Sequence, residues 1–430
     1  RNPSTLIMLI PVAVMLVLAV KTRNIYKAIT AGILLGTVIG LASGLLTFAD
    51  VISIQDGAPA GFLTDGISGM MEERIVDLSS LGSDEDKLSL LSKTPASFLG
   101  SCRFKLPEED SPIYDRIFDV LEKYQIRYFF YIGGNDSMDT VLKLSAFALK
   151  KGKDIRFVGV PKTIDNDLPG TDHTPGFGSA AKYIASTVRE ISADSAVYNV
   201  NSVTVIEIMG RNAGWLTGAS ALARYKGLGP DLIYLPEHTF HFSQFYDDIA
   251  KISKNKKNIV VAISEGARTK DGKYVCEAVS NGIVDVFGHK YLGGTARVLE
   301  GFVRKKFGFK ARGIELNVSQ RCAGHLLSKT DISESFQVGS SAVELALKGK
   351  TGIMTAIARM SNAPYRSECV AVDIAAAANQ EKTVPRHFIS ERGNDVTEDF
   401  IQYAAPLIAG EVPVEFENGL PKMLVLEKEA

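Results

Sequence analysis

Short apolar runs alternate with helical stretches of about 10 to 15 residues from residue 75 onward, the pattern of βα units on a mostly parallel sheet. The predicted strands are Tyr128–Ile132, Ile155–Val160, Val203–Met209, Leu232–Leu235, Ile259–Ile263, Gly313–Leu316 and Gly352–Ile357. The clearest predicted helices are Met138–Leu149, Ser179–Glu190 and Ala213–Tyr225. Because so many strands exceed one small sheet, we expect two α/β lobes with a cleft between them.

The composition narrows the classes of ligand and compartment. The chain has 430 residues, of which 46% are hydrophobic and 23% charged, as in ordinary folded proteins. A formal net charge of −1 provides no basic surface for nucleic acid, so an anionic ligand must be bound by local arginines and lysines. The four cysteines form no CxxC pair, which favours a reducing compartment, and we expect a cytoplasmic protein.

The first 72 residues differ in character from the rest. Leu6–Val20 and Ala28–Phe48 are apolar runs that predict a helical hairpin able to contact a membrane, with a buried core hairpin as the alternative. The second run carries the pattern GILLGTVIGLASG and resembles a fragment of a sodium/proton antiporter. Two spans cannot build a transporter's binding site, so we predict no transport and treat residues 1–72 as a possible fusion or artefact.

Polar, glycine-bearing turns follow three predicted strands. These turns are Gly133–Ser137 (GGNDS), Pro161–Asp167 (PKTIDND) and Met209–Arg211. Ligands of open α/β sheets bind at the carboxyl ends of strands, so we expect the three turns to converge on one crevice.

Each turn carries residues suited to phosphate chemistry. In PKTIDND, a carboxylate that accepts a proton, beside a lysine and a threonine hydroxyl, would serve transfer of a phosphoryl group to an alcohol. The alternative is that PKTIDND is a solvated turn. In GGNDS, the glycine pair admits a phosphate and the two residues Asn135 and Asp136 can reach a bound magnesium ion. The alternative there is that Asp136 or Ser137 only caps the following helix.

Arginines and one further acid complete the candidate set. Arg211 can grip a sugar phosphate in fork geometry, and Glu265 in the segment ISEG can accept hydrogen bonds from sugar hydroxyls. Arg103, Arg312 and Arg321 are ordinary surface residues by base rate, although the last two flank a strand and could both face an anion.

Six motifs in one order, GGNDS, PKTIDND, GTDHTPGFGSA, MGRNAGWLTG, ISEG and RGIELNVSQR, resemble the phosphofructokinases from about residue 75 to the C-terminus. The resemblance implies two Rossmann-like lobes that phosphorylate fructose 6-phosphate at its 1-hydroxyl to give fructose 1,6-bisphosphate. It divides the chain into a donor lobe (73–176), a sugar-phosphate lobe (177–320) and a C-terminal segment shared between them (321–430).

The resemblance also implies roles for single residues. Asp165 would be the base, Thr163, Arg103 and Lys162 would steady the phosphoryl group, and Asn135 with Asp136 would hold Mg²⁺. The donor would contact Gly133, Gly134, Asp136, Ser137 and Lys162. The sugar phosphate would contact Thr163, Asp165, Asp167, Met209, Gly210, Arg211, Glu265, Arg312 and Arg321. Because one of the last two arginines often serves a neighbouring subunit in this family, we expect a homo-oligomer, a dimer or a tetramer.

The phosphoryl donor can be argued from charge. Asp136 and Lys162 stand where members that use ATP have glycine, and a carboxylate at the first position would repel the α-phosphate of a nucleotide. Pyrophosphate ends before that point, so it is the favoured donor. Two alternatives stay open: an ATP-dependent enzyme, and an inactive membrane-tethered remnant, because the first Gly-Gly phosphate loop of the family is only faintly imitated by residues 51–61.

Overall fold

The computed structural model describes residues 62–64, 66–73, 75–78, 84–95, 100–102, 104–108, 111–278 and 294–425. The predicted N-terminal hairpin and Arg103 lie outside these residues. Among the helices that the structure describes, none combines the length and apolar character needed to cross a bilayer.

The described strands are β1 (Phe62–Thr64), β2 (Ile75–Asp77), β3 (Tyr128–Gly133), β4 (Arg156–Pro161), β5 (Ser202–Ile208), β6 (Leu232–Tyr234), β7 (Asn258–Ser264), β8 (Lys310–Glu315), β9 (Ile353–Asn362), β10 (Tyr365–Asp373), β11 (Phe416–Glu417) and β12 (Leu420–Pro421). The described helices are α1 (Ile67–Met71), α2 (Glu85–Leu91), α3 (Pro112–Lys123), α4 (Asn135–Lys151), α5 (Phe177–Ala196), α6 (Trp215–Ala219), α7 (Phe242–Ile252), α8 (Thr295–Phe307), α9 (Lys329–Leu347) and α10 (Glu398–Ala404).

The chain divides into two units. The first comprises residues 1–65 and 69–88, and its described strands, β1 and β2, form an antiparallel pair. The second comprises residues 66–68 and 89–430 and contains two four-stranded sheets. All site residues discussed below belong to the second unit.

One four-stranded sheet has the order β10-β9-β4-β3. Strands β3, β4 and β9 are parallel, and β10 pairs antiparallel with β9 at the edge. Helix α3 covers one face, where Phe118 meets Phe157 with ring centroids 5.8 Å apart, and α9 covers the other, where Ala342 and Ala346 pack on Val158. The β3–β4 register pairs Gly133 with Pro161, which brings the turns after both strands side by side.

The other four-stranded sheet has the order β6-β7-β5-β8 and is entirely parallel. Strand β5 is buried along its whole length, because alternate residues enter two cores: Val203 and Val205 pack on one side, and Ile206 and Ile208 on the other. A strand covered on both faces accounts for its apolar residues at both odd and even positions. The carboxyl ends of β5 and β7 align through the pair of Ile208 with Ser264.

The seven predicted strands are confirmed within a few residues, and so are the mostly parallel sheets. Strand β10 was not predicted, because five of its nine residues are exposed and its apolar run is only the four residues Cys369–Val372. The predicted helix Ala213–Tyr225 is wrong in length: α6 ends at Ala219 and a 3₁₀ turn follows over Ser220–Ala223.

Candidate active site

The turn after β3 is shaped by two glycines. A Cβ on Gly133 would lie 2.0 Å from Ser137 Oγ, so only glycine fits there. Gly134 is the N-cap of α4, and no side chain caps that helix, so the alternative in which Asp136 or Ser137 serves as the cap is wrong. Ser137 N already donates to Gly134 O at 3.0 Å, so the amides of Asn135 and Asp136 are the candidates for binding a phosphate at this helix start.

The candidate metal ligands at this turn differ in availability. Asn135 Oδ1 is buried without a hydrogen-bond partner in the structure, and Asp136 is exposed in the first turn of α4. A further acid of α4, Asp139, is engaged, since it pairs with Lys143 Nζ at 3.0 Å and accepts from Asn379 Nδ2 at 2.8 Å.

The described residues contain no group of three or more His, Cys, Asp or Glu side chains able to hold a metal ion. A phosphate-bound Mg²⁺ takes one or two protein ligands and completes its shell with phosphate oxygens and water. An orphaned amide oxygen beside an exposed carboxylate fits such an ion.

The PKTIDND turn is tied to the GGNDS turn by its backbone. Lys162 N donates to Gly133 O at 3.0 Å. Thr163 Oγ1 accepts from Asp165 N at 3.1 Å, which closes a tight turn around the acid. The next residue, Asn166, has a positive φ of 55° and is fully buried. The turn is thus a built structure, and the alternative of a solvated turn is wrong.

The charges around Asp165 come from both four-stranded sheets. Desolvation raises the pKa of Asp165, while Lys162, Arg211 and Arg321 oppose that rise. Desolvation also lowers the pKa of Lys162, and raises the pKa of Asp167 to about 7. A carboxyl group whose pKa is raised holds a transferred proton more readily, which suits a general base.

The turn after β5 is locked to the end of β7. Gly210 N donates to Glu265 Oε1 at 3.3 Å, and Ser264 Oγ donates to Gly210 O at 2.6 Å. A Cβ on Gly266 would lie 1.9 Å from Arg211 O, so glycine is required for this approach. Met209 N donates to Gln320 Oε1 at 3.2 Å, which connects the same turn to the segment after β8.

Glu265 follows β7 in one four-stranded sheet, and its carboxyl group interacts electrostatically with that of Asp165, which follows β4 in the other sheet. Desolvation raises the pKa of Glu265 to about 7, the hydrogen bond from Gly210 opposes the rise, and the charge of Asp165 adds to it. The carboxylate of Glu265 therefore accepts a proton, or a hydrogen bond from a sugar hydroxyl, more readily than an exposed glutamate does.

Replacing Glu265 with glutamine should flatten the pH dependence of stability. The folded-state pKa of Glu265 is raised from 4.5 to about 7, so the folded state holds its proton more tightly and loses stability as pH rises through this window. As the pH rises from 4.5 to 8, we expect the free energy of unfolding of Glu265→Gln to increase by on the order of 1 to 3 kcal/mol relative to that of the parent. Urea unfolding across this range measures the effect, and the exposed Glu344→Gln is the control. If the free energies of unfolding of the parent and Glu265→Gln changed in parallel with pH, the raised pKa of Glu265 would be contradicted.

The two candidate arginines near β8 lie at different places. Arg321 ends the 3₁₀ turn Asn317–Arg321, and its charge acts on both Asp165 and Lys162. Arg312 pairs in register with Thr204, well before the carboxyl end of β5, and its guanidinium lies 3.6 Å from Asp194. Within one chain the strand register places Arg312 away from the turns, so its contact with the sugar phosphate stays a prediction, for which it would have to act across an interface between copies of the chain.

Sequence reasoning missed the residues that support the PKTIDND turn. Asn166 Nδ2 donates to Tyr403 Oη at 2.9 Å, and Asn166 Oδ1 accepts from Lys382 Nζ at 3.2 Å. Both partners lie more than 200 residues further along the chain, outside any motif. Local patterns contain no signal for such contacts.

Carboxylates, a lysine and arginines gathered at the carboxyl ends of parallel strands define an α/β protein with a site for phosphate-bearing ligands. Residues 38–314 match the family model described as phosphofructokinase. The chain belongs to the phosphofructokinase family. The match begins inside the second apolar run, and the comparisons do not support the antiporter-like resemblance of that segment.

Two curated relatives and one solved structure extend this result. The chain is 43% identical over 369 residues to the pyrophosphate–fructose 6-phosphate 1-phosphotransferase of Halomonas elongata, covering 85% of this chain and 87% of the relative. It is 42% identical to the protein of the same name from Xanthomonas campestris, covering 85% and 88%. The crystal structure of a pyrophosphate-dependent phosphofructokinase from Nitrosospira multiformis has a TM-score of 0.75 at 35% identity, covering 86% of this chain and 90% of that one.

Proposed function

We propose that this chain transfers a phosphoryl group from pyrophosphate to the 1-hydroxyl of fructose 6-phosphate, giving fructose 1,6-bisphosphate. The observation that carries the proposal is the placement of Asp165 among Lys162, Arg211 and Arg321. One carboxylate can take the hydroxyl proton while the cations bind phosphate groups of the two substrates. The 42 to 43% identity to relatives named for this reaction supports it.

In the proposed reaction, the 1-hydroxyl oxygen attacks the terminal phosphorus of pyrophosphate and its proton passes to Asp165. The bond from that phosphorus to the bridging oxygen breaks, and inorganic phosphate leaves. Thr163 Oγ1 accepts from the Asp165 amide, so its hydroxyl proton is left to donate to the moving phosphoryl group. Positioning and charge supply most of the rate enhancement in such a transfer.

The sugar phosphate is held by the turns after β5 and β7 in this proposal. Arg211 and Arg321 bind its 6-phosphate, while Glu265, Asp167 and the Met209–Gly210 backbone bind its hydroxyls. Arg312, which is half exposed, would contribute only across an interface between copies of the chain. A homo-oligomer therefore remains a prediction of the proposal.

Magnesium would be held by Asn135 Oδ1 and the carboxylate of Asp136, and when bound it supplies positive charge to the phosphate oxygens. The amides after Gly133 and Gly134 and the hydroxyl of Ser137 would bind the donor beside it. Arg103, which lies outside the described residues, would steady the transferred phosphoryl group together with Thr163 and Lys162.

The domain boundaries at residues 73, 177 and 321 also remain proposals. The pairing of β9 with β4 supports a C-terminal segment shared between lobes, because it places residues 353–373 in the sheet of β3 and β4. The stacking of Trp215 on Phe400 of α10, with ring centroids 6.1 Å apart, attaches the same segment to the other core.

A donor comparison tests the proposed function. Purified protein with fructose 6-phosphate and Mg²⁺ should consume pyrophosphate and release phosphate, followed by ³¹P NMR, whereas ATP should give a kcat/KM at least about a thousandfold lower. Turnover of ATP with pyrophosphate ignored would favour the ATP-dependent alternative. Binding of fructose 6-phosphate without turnover of either donor would favour the inactive remnant.

A further inference from the structure

Lys382 lies in the segment between β10 and α10, and it forms hydrogen bonds with the PKTIDND turn and with the residues that follow it. Its ammonium group donates to Asn166 Oδ1 at 3.2 Å, to Thr171 O at 3.1 Å and to Asp172 O at 2.8 Å. A lysine ammonium has three hydrogens, and here each has an acceptor. No sequence motif includes this residue.

The backbone of Lys382 is attached to the same turn. Lys382 N donates to Asp167 O at 2.7 Å. Its carbonyl oxygen accepts from Trp215 Nε1 at 2.9 Å, and its ammonium lies 5.2 Å from the centre of the Trp215 ring. The segment is thereby fixed to the core, and Lys382 connects that core to the turn.

The acceptor Asn166 is the residue between the two acids of the turn. It adopts a left-handed backbone, with φ of 55°, and is fully buried. Its Oδ1 also accepts from Thr174 N at 3.1 Å. Any shift of Asn166 must move Asp165 and Asp167, because they are its covalent neighbours.

We propose that Lys382 is a positioning residue for the phosphoryl transfer, holding Asn166 so that Asp165 faces the sugar hydroxyl. Lys382 touches neither substrate. The inference rests on the proposed function, since it assigns Lys382 to the geometry of the proposed base. Desolvation lowers the pKa of Lys382 to about 8, with Asp172 and Asp167 acting against it, so the ammonium is mostly charged at pH 7.

The test replaces Lys382 with methionine, which keeps the chain length and removes the three donors. We expect kcat to fall about 100-fold, the usual effect of displacing a catalytic group by about 1 Å. The KM for fructose 6-phosphate should rise by a smaller factor than kcat falls, because Arg211, Glu265 and Arg321 follow strands of the other sheet and would still bind the sugar phosphate, although the contact of Asp167 is loosened. Hydrogen exchange should accelerate across residues 163–174.

Lys182→Met is the matched control. Lys182 is also buried, and its ammonium donates to Leu327 O, Gly410 O and Glu411 Oε2 at 2.7 to 3.1 Å, away from the turn. It should lose stability yet keep kcat within about twofold of the parent. If Lys382→Met fails to fold, Lys382→Gln, which keeps a neutral donor, should still lower kcat about tenfold.

The outcomes separate the inference from the proposed function. A folded Lys382→Met or Lys382→Gln protein with the parent's kcat would overturn the positioning role while leaving the reaction in place. A parent protein without turnover would overturn the proposed function. In that case, hydrogen exchange at residues 163–174 still tests the role of Lys382. Faster exchange in Lys382→Met than in Lys182→Met would show that Lys382 holds the turn in place, and equal exchange in the two variants would overturn that role.

Discussion

Replacement of Asp165 with asparagine should lower kcat on the order of 10³- to 10⁴-fold while fructose 6-phosphate still binds. Asparagine keeps the shape of the side chain, and its backbone amide can still donate to Thr163 Oγ1 as in the parent. It cannot accept the hydroxyl proton, so the attacking oxygen stays protonated. Loss of a negative charge near Arg211 and Arg321 should leave the affinity for the sugar phosphate unchanged or increase it. Steady-state kinetics with pyrophosphate and isothermal titration with fructose 6-phosphate measure the two effects separately.

Asp167→Asn is the matched control for this prediction. Asp167 lies two residues away in the same turn, and its pKa is also raised by desolvation, to about 7. In the proposed mechanism it contacts the sugar and takes no proton, so its loss should raise KM and lower kcat less than tenfold. If Asp167→Asn lost the activity and Asp165→Asn kept it, the roles of the two acids would have to be exchanged.

The two mostly parallel sheets could be predicted, because the spacing of apolar residues and the length of each apolar run indicate whether a segment is a strand or a helix. Strands β4, β5 and β7 are short apolar runs, each followed by a polar turn with glycine or proline, and parallel strands bring such turns to one edge. The same reasoning located Asp165, Arg211 and Glu265, whose charges act on one another in the structure.

Contacts between distant segments could not be predicted. Lys382 and Tyr403 meet Asn166 only because the C-terminal segment crosses the turn, and a single sequence carries no signal for that crossing. The position of Arg312 could not be predicted for a related reason: a motif fixes residue type and order, whereas the register of β8 against β5 decides which end of the sheet a side chain occupies. The contact of Asp139 with Asn379 could not be predicted either, because 240 residues separate the two.

Hydropathy alone does not decide the interpretation of the N-terminal segment, which lies outside the described residues. The apolar run Ala28–Phe48 is long enough for a membrane span, and its glycine spacing suits helix packing in lipid. The phosphofructokinase match begins at residue 38, within that run. An apolar run of this length predicts burial, and its period alone does not distinguish burial in lipid from burial in a protein core, so the hairpin stays a prediction.

Simultaneous replacement of Asp136 and Lys162 with glycine should reverse the donor preference. Lys162, tied through its amide to Gly133 O at 3.0 Å, carries a cation beside the proposed diphosphate site, and its loss should lower kcat/KM for pyrophosphate by about 100-fold or more. Asp136 is exposed at the start of α4, where its charge would oppose an α-phosphate, so its loss should raise kcat/KM for ATP.

The ratio of the two kcat/KM values, pyrophosphate over ATP, is the quantity to measure, since it is insensitive to the fraction of active protein. We expect it to fall at least about a thousandfold in the double variant. Asp154→Gly is the control, because that exposed carboxylate pairs with Arg156 at 2.8 Å near the amino end of β4, away from the three turns. An unchanged ratio in the double variant would show that neither side chain selects the donor, and selection would then have to come from the backbone of the GGNDS turn.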